Sequence, residues 1–201
     1  SCGKTNNRNK FKSQPNDKAK FDQAGGCEQS LSCPEGTQLV CSKKYATKVC
    51  IDTDLKQSAE GLPEGNFSYH KCQSYCQSRG MRLPTNNEWL LAAAGSEAKN
   101  CLYPQVTYPI KKGARMDDLA VNAPLKEPRK SCVSLYKIKD MVGVLGQWVE
   151  GTFKNRSGHT RGQFNGGLWP QKASTVFYRT VAHGPGYSDY SIGCRCASDP
   201  R

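Results

Sequence analysis

Eleven cysteines in 201 residues set the strongest limit on what this chain can fold into. Cysteine at this density is rare in a reducing cytosol unless the sulfurs hold metal, whereas disulfides persist in oxidising compartments. The spacings do not repeat a metal-finger pattern, so the expectation is an exported protein: periplasmic, on the cell surface or extracellular. Cys27, Cys33, Cys41 and Cys50 fall among turn residues such as Pro34-Glu35-Gly36. So many sulfurs in so short a stretch predict a small disulfide-tied β cap at 27–50.

An odd count leaves one sulfur over. Ser1-Cys2-Gly3 resembles the junction at which bacterial lipoproteins are cleaved and lipidated, which makes Cys2 a candidate lipidation site and leaves ten cysteines for five bridges. An unpaired or N-terminally paired Cys2 is the alternative. No apolar run approaches the ~20 residues that cross a bilayer, and any leader peptide is expected to have been removed already.

The length fits one domain, since domains run ~100–200 residues. Nineteen glycines and eleven prolines beside a hydrophobic fraction of 36% predict a loop-rich α+β unit without long helices. The formal charge of +12 invites a nucleic-acid reading. Its distribution argues against one, because Lys4, Arg8, Lys10, Lys12, Lys18 and Lys20 crowd the first twenty residues with Asp17 as the lone acid. Residues 1–26 read as a basic flexible tail that serves as a tether or touches an anionic membrane, and no nucleic-acid partner is expected. Residues 27–201 are expected to form the single domain.

Two helices are legible. Ser68 to Ser78 would place Cys72 and Cys76 one turn apart on one face. In Arg82-Leu83-Pro84-Thr85-Asn86-Asn87-Glu88-Trp89, Thr85 and Glu88 have capping-box spacing, the hydroxyl taking a first-turn amide and the carboxylate reaching back to the Thr85 amide. A second helix is predicted from Asn86 to about Ala94. Beyond Gly95 helical periodicity stops. Short strands and loops are expected there, with Cys101 and Cys132 as a candidate pair bracketing a basic excursion through Lys111, Lys112, Lys126, Arg129 and Lys130.

Five segments, in order, carry a family resemblance. Cys50-Ile51-Asp52 looks like an opening strand, and Ser74-Tyr75-Cys76-Gln77-Ser78-Arg79-Gly80-Met81 runs on into the Arg82–Trp89 segment, which is similar to "RLPTEAEWE". Asp140-Met141-Val142-Gly143-Val144-Leu145-Gly146-Gln147-Trp148 resembles "DMVGNVWEW". Asn165-Gly166-Gly167-Leu168-Trp169 and Ile192-Gly193-Cys194-Arg195-Cys196-Ala197 resemble "RGGSW" and "GFRCA". Together, from Val49 to Ala197, they resemble the formylglycine-generating-enzyme/sulfatase-modifying domain. The resemblance implies an irregular α+β fold related to the C-type lectins, with two helices flanking small antiparallel sheets and a shallow groove built from loops. It also implies a disulfide from Cys76 to Cys196. Cys72 lies one helical turn before Cys76, and Cys194 two residues before Cys196 on the same strand face, so a second bridge from Cys72 to Cys194 is then expected. A zinc site made from these four sulfurs is the competing reading.

Activity in that family depends on two cysteines after the "GGS" strand, which take up copper and oxidise a substrate cysteine; copper(I) prefers sulfur ligands. Carried onto this chain, the two positions are Gln171 and Val176. Neither can hold copper, so the resemblance implies a member that is not an enzyme and carries no cofactor. Calcium, which the family often binds through the Asn and Glu of "GNVWEW", would meet Val144 and Gln147 here and is not expected. Three histidines, His70, His159 and His183, do not suit the related iron chemistry, and no G-x-S-x-G turn offers a serine nucleophile.

Between two glycine-rich stretches, residues 169–190 concentrate aromatic and arginine side chains, which dominate recognition surfaces. Trp169, Tyr178, Arg179, His183, Tyr187 and Tyr190 are therefore candidate ligand contacts, in a part of the chain that borders the family's groove. The plainer reading puts Trp169, Phe177 and Trp148 in the core and His183 in an ordinary surface loop. The expected function is an exported binding or scaffold protein for a protein, peptide or cell-wall glycan. The alternatives are a copper-dependent formylglycine-type oxidoreductase using other residues, and a calcium-independent lectin.

Overall fold

A computed structural model describes residues 27, 30–96, 101, 131–169 and 174–201; the basic tail with Cys2, the excursion between Cys101 and Cys132, and Gln171 lie outside them. The described elements run β1 (Thr37–Ser42), β2 (Thr47–Asp52), α1 (Tyr69–Ser78), α2 (Asn86–Ala92), β3 (Gly146–Lys154), β4 (Thr160–Asn165), β5 (Arg179–Thr180), β6 (Ile192–Gly193) and β7 (Ala197–Ser198).

β1 and β2 form an antiparallel hairpin in which Val40 faces Val49, and disulfides Cys27–Cys41 and Cys33–Cys50 fasten the incoming chain to it. The free edge of β2 pairs with β7, so the hairpin shares a three-stranded sheet with the end of the chain. A second sheet has the order β5-β4-β3-β6, antiparallel except for β3 with β6.

α1 starts where the Ser68 hydroxyl accepts the Lys71 amide, and it buries Tyr69, Cys72 and Cys76, which lie along one face at helical spacing. α2 starts at the capping box: the Thr85 hydroxyl accepts the Glu88 amide and the Glu88 carboxylate accepts the Thr85 amide. The Arg82 guanidinium grips both Glu88 oxygens at 2.8 Å. Burial alone would raise the Glu88 pKa, but Arg82 and the Thr85 amide prevail and hold it below its ordinary 4.5. α2 ends at Ala92, short of the expected Ala94, and Gly95 follows in the left-handed region at φ +79°.

β6 and β7 are four residues apart yet belong to different sheets. Cys194 and Cys196 therefore lie in an extended crossover rather than on one strand, although their alternation still aims both sulfurs at α1. Cys72 bonds Cys194, Cys76 bonds Cys196, and Cys101 bonds Cys132. With all four α1 and crossover sulfurs in S–S bonds, no thiolate is left there for zinc.

Two apolar clusters fill the interior. One joins the β1-β2-β7 sheet to α2 through Val49, Ile51, Trp89, Leu91, Met141 and Val149. The other packs Phe67, Tyr69, Leu83, Trp148, Phe164 and Ile192 around the paired disulfides. Each large side chain so buried is worth ~1.5–3 kcal/mol relative to exposure.

Candidate ligand-binding groove

β4 alternates its side chains across the second sheet, and Phe164 and Thr180, paired across β4 and β5, line the same cavity. The chain leaving β5 folds back over that face, held by a 3.0 Å bond from the Gly162 amide to the His183 carbonyl. Gly162 has a packing reason to be glycine: a Cβ there would lie 2.8 Å from the Trp148 ring. His183 is consequently sandwiched, its ring stacked on Phe164 at 5.9 Å and on Tyr187 at 3.8 Å.

Asp189 fixes the outer ring of this stack. Its Oδ2 accepts the Tyr187 hydroxyl at 2.6 Å, while Oδ1 accepts the Ser191 amide at 2.8 Å and hydroxyl at 2.5 Å. The hydrogen bond to Asp189, then burial, then the carboxylate charge push the Tyr187 phenol up to about 12. The Asn66 amide donates to the Asp189 carbonyl at 2.8 Å, and Gly65 passes so close to Tyr190 that a Cβ would meet its carbonyl oxygen at 2.3 Å. The result is an open cavity of about 660 Å³ lined by Phe164, Tyr178, His183, Tyr187, Tyr190 and Asn66, among others.

Four of the six candidate contacts, Tyr178, His183, Tyr187 and Tyr190, meet in this groove. The other two do not. Trp169 is 2% exposed, sealed in the interior with its amide donating to the Val144 carbonyl at 3.1 Å, so it cannot touch a ligand from this groove. Arg179 lines a separate cleft of about 280 Å³ with Asn86, Asn165, Phe177 and Tyr178. Phe177 reverses its expected core placement at 83% exposure, whereas Trp148 is fully buried and donates to the Phe67 carbonyl at 2.8 Å. Phe164, Asn66 and Asp189, which complete the groove, are not among those six candidate contacts. Asp189, the lone acid among the residues from 151 to 198, was the available signal.

The residues in place do not suit the family's metals. Val176, half-buried beside Leu90 and Phe177, offers only alkyl carbons. The ten described cysteines are all in disulfides, so among the described residues no thiolate is available to copper(I). At the position implied for calcium, the Gln147 oxygen already accepts Trp89 Nε1 at 3.0 Å and Arg195 Nε at 2.8 Å. Its amide nitrogen donates to the carbonyls of Asp140 and Met141 at 3.0 and 3.1 Å. Val144 offers no oxygen from its side chain, and a guanidinium against the Gln147 oxygen repels a hard cation, so calcium does not fit these two positions.

One family model, the sulfatase-modifying factor enzyme 1-like domain, matches residues 18–200. No curated protein matches the chain significantly. Among solved structures, the Major Tropism Determinant I1 variant aligns with a TM-score of 0.54 at 15% identity, over 85% of this chain and 54% of that one. The P3c variant gives a TM-score of 0.52 at 16% identity, over 85% and 54%. The chain thus spans about half the length of these structures. At such identity the likeness shows the fold alone, and the short elements and five bridges of this chain make that fold irregular α+β and disulfide-rich.

Proposed function

Because the chain belongs to the sulfatase-modifying factor enzyme 1-like family, we propose that it is a non-catalytic, exported member that captures a protein or peptide ligand in the aromatic groove. The observation that carries this reading is the stack Phe164–His183–Tyr187, clamped from outside by Asp189. Rings already held in place lose little freedom when a partner docks, so more of the contact energy survives as affinity. Family chemistry needs sulfur at positions 171 and 176, where this chain has Gln171 and Val176. Five disulfides support export. The fold's occurrence in proteins named tropism determinants supports a recognition role.

Two experiments test the reading. Incubation with copper and a cysteine-containing peptide should yield no aldehyde by mass spectrometry; an aldehyde would restore the oxidoreductase alternative. A photo-crosslinking phenylalanine at Tyr178 should label a partner in envelope extract, and one at exposed Lys137 should not. Equal labelling from both positions would remove the groove assignment.

A further inference from the structure

Charge is unevenly spread over this molecule. The described ion pairs lie around the two helices and the first sheet: Arg79 with Asp52, Arg82 with Glu88 and Asp199, Lys56 and Lys71 with Glu64, and Lys139 with Asp54. From residue 151 to residue 188 the sequence has no Asp or Glu at all. Lys154, Arg156, Arg161 and Arg179 fall within it, and among the described residues none of them has a carboxylate within ion-pair distance.

The second sheet orders part of this surplus into a track. Arg161, Gln163 and Asn165 alternate onto one face of β4, opposite to the face that sends Phe164 into the aromatic groove. Gln163 Nε2 donates at 2.8 Å to both Asn165 Oδ1 and Asn86 Oδ1, and Asn165 Nδ2 donates to Asn86 Oδ1 at 2.9 Å. Arg179 sits beside Asn165 on β5, and Phe153, 42% exposed, sits beside Arg161 on β3. Two unpaired guanidinium residues thus stand about 14 Å apart along the face, from four residues of strand rise and one strand spacing. Side-chain amides lie between them and exposed rings flank both ends. Among the described residues, Gln163 Oε1 and Asn86 Nδ2 have no protein partner and remain open to a ligand.

We propose that this face binds an anionic glycan, with carboxylate or sulfate groups on Arg161 and Arg179, hydroxyls on the Gln163 and Asn86 amides, and sugar faces against Phe153 and Phe177. Arginine pairs with such anions through two parallel hydrogen bonds. The amides are suited to hydroxyls, which donate and accept at once. An acidic peptide is served less well, since β5 is a two-residue edge strand that gives an extended backbone little to pair with. The site lies on the other face of β4 from the aromatic groove and does not depend on the proposed function.

The test titrates the intact protein with a heparin oligosaccharide, a galacturonate oligomer, neutral maltohexaose, polyglutamate and phosphatidylglycerol vesicles. Binding of at least one anionic glycan and none of maltohexaose is expected. Arg161→Ala with Arg179→Ala should weaken that binding about tenfold or more. Lys43→Ala with Lys44→Ala, which removes the same charge from the first hairpin, should change it less than about twofold. Gln163→Ala should weaken it with no change in net charge. The proposal fails if neither anionic glycan binds, if the Lys43/Lys44 variant loses as much, or if polyglutamate or vesicles bind more tightly with the same arginine dependence.

Discussion

Arg195 Nε donates a 2.8 Å hydrogen bond to Gln147 Oε1 at the seam between the two sheets, with both residues fully buried. The guanidinium also donates to the Asp52 and Lys139 carbonyls at 2.6 Å, and burial draws its pKa down to about 10. This buried cation has neutral oxygens as its hydrogen-bond partners among the described residues, and Gln147 Oε1 joins it to Trp89 on α2.

Gln147→Ala should therefore cost about 2–5 kcal/mol, because it strands Arg195, the Trp89 indole and two carbonyls away from water. Denaturant unfolding with the disulfides intact reads this directly. A loss under about 1 kcal/mol would mean that the seam does not depend on Gln147.

The two long bridges should behave as one. Cys72–Cys194 spans 122 residues and Cys76–Cys196 spans 120, so either alone closes almost the same loop. Chain entropy predicts that replacing one pair with serine costs little beyond local packing. Replacing both should cost a further ~4–5 kcal/mol. Equal, additive losses would contradict this interleaved arrangement.

Tyr187 ties the groove to alkaline stability. Its phenol titrates at about 12 rather than the ordinary 10.0. Between those two values the folded state keeps a proton that the unfolded chain has lost, so this contribution is complete below the lower value and falls as pH rises to the upper one. Asp189→Asn should return the phenol toward its ordinary value and flatten that part of the stability profile. Tyrosinate absorbance, compared with Tyr187→Phe, identifies the group.

Glu88 acts at the acidic end. Despite burial, Arg82 and the Thr85 amide hold its carboxyl below 4.5, so its contribution is present above that value and is lost as pH falls through the lower folded one. Glu88→Gln should flatten acid unfolding in that window. Thr85→Ala should cost ~1 kcal/mol at neutral pH through the lost cap.

Local chemistry made the helices readable. Thr85 and Glu88 announce α2, and the i,i+4 spacing of Cys72 and Cys76 sets the face that α1 buries. The pairing of those sulfurs with Cys194 and Cys196 depended on a family resemblance, since spacing alone cannot select partners 120 residues away. Tertiary context decided the rest. Trp169 and Phe177 look equivalent in sequence, yet one is sealed beside Val144 and the other projects into solvent at 83% exposure. Gln147 could be read only as a missing calcium ligand, because its partners Trp89 and Arg195 lie 58 and 48 residues away. The face carrying Arg161, Gln163 and Asn86 appears only once β4 is placed beside the start of α2.

The clamped aromatic groove is proposed as the binding surface of this protein. Its most direct measurement compares what wild-type protein and the Tyr187→Ala, Tyr190→Ala variant retain from envelope extract, with thermal melting of both recorded alongside. The expected result is a retained partner that is lost from the variant, which still unfolds cooperatively, its melting temperature lowered only by the lost Tyr187 contacts to Asp189 and His183. Undiminished retention by the variant would contradict it.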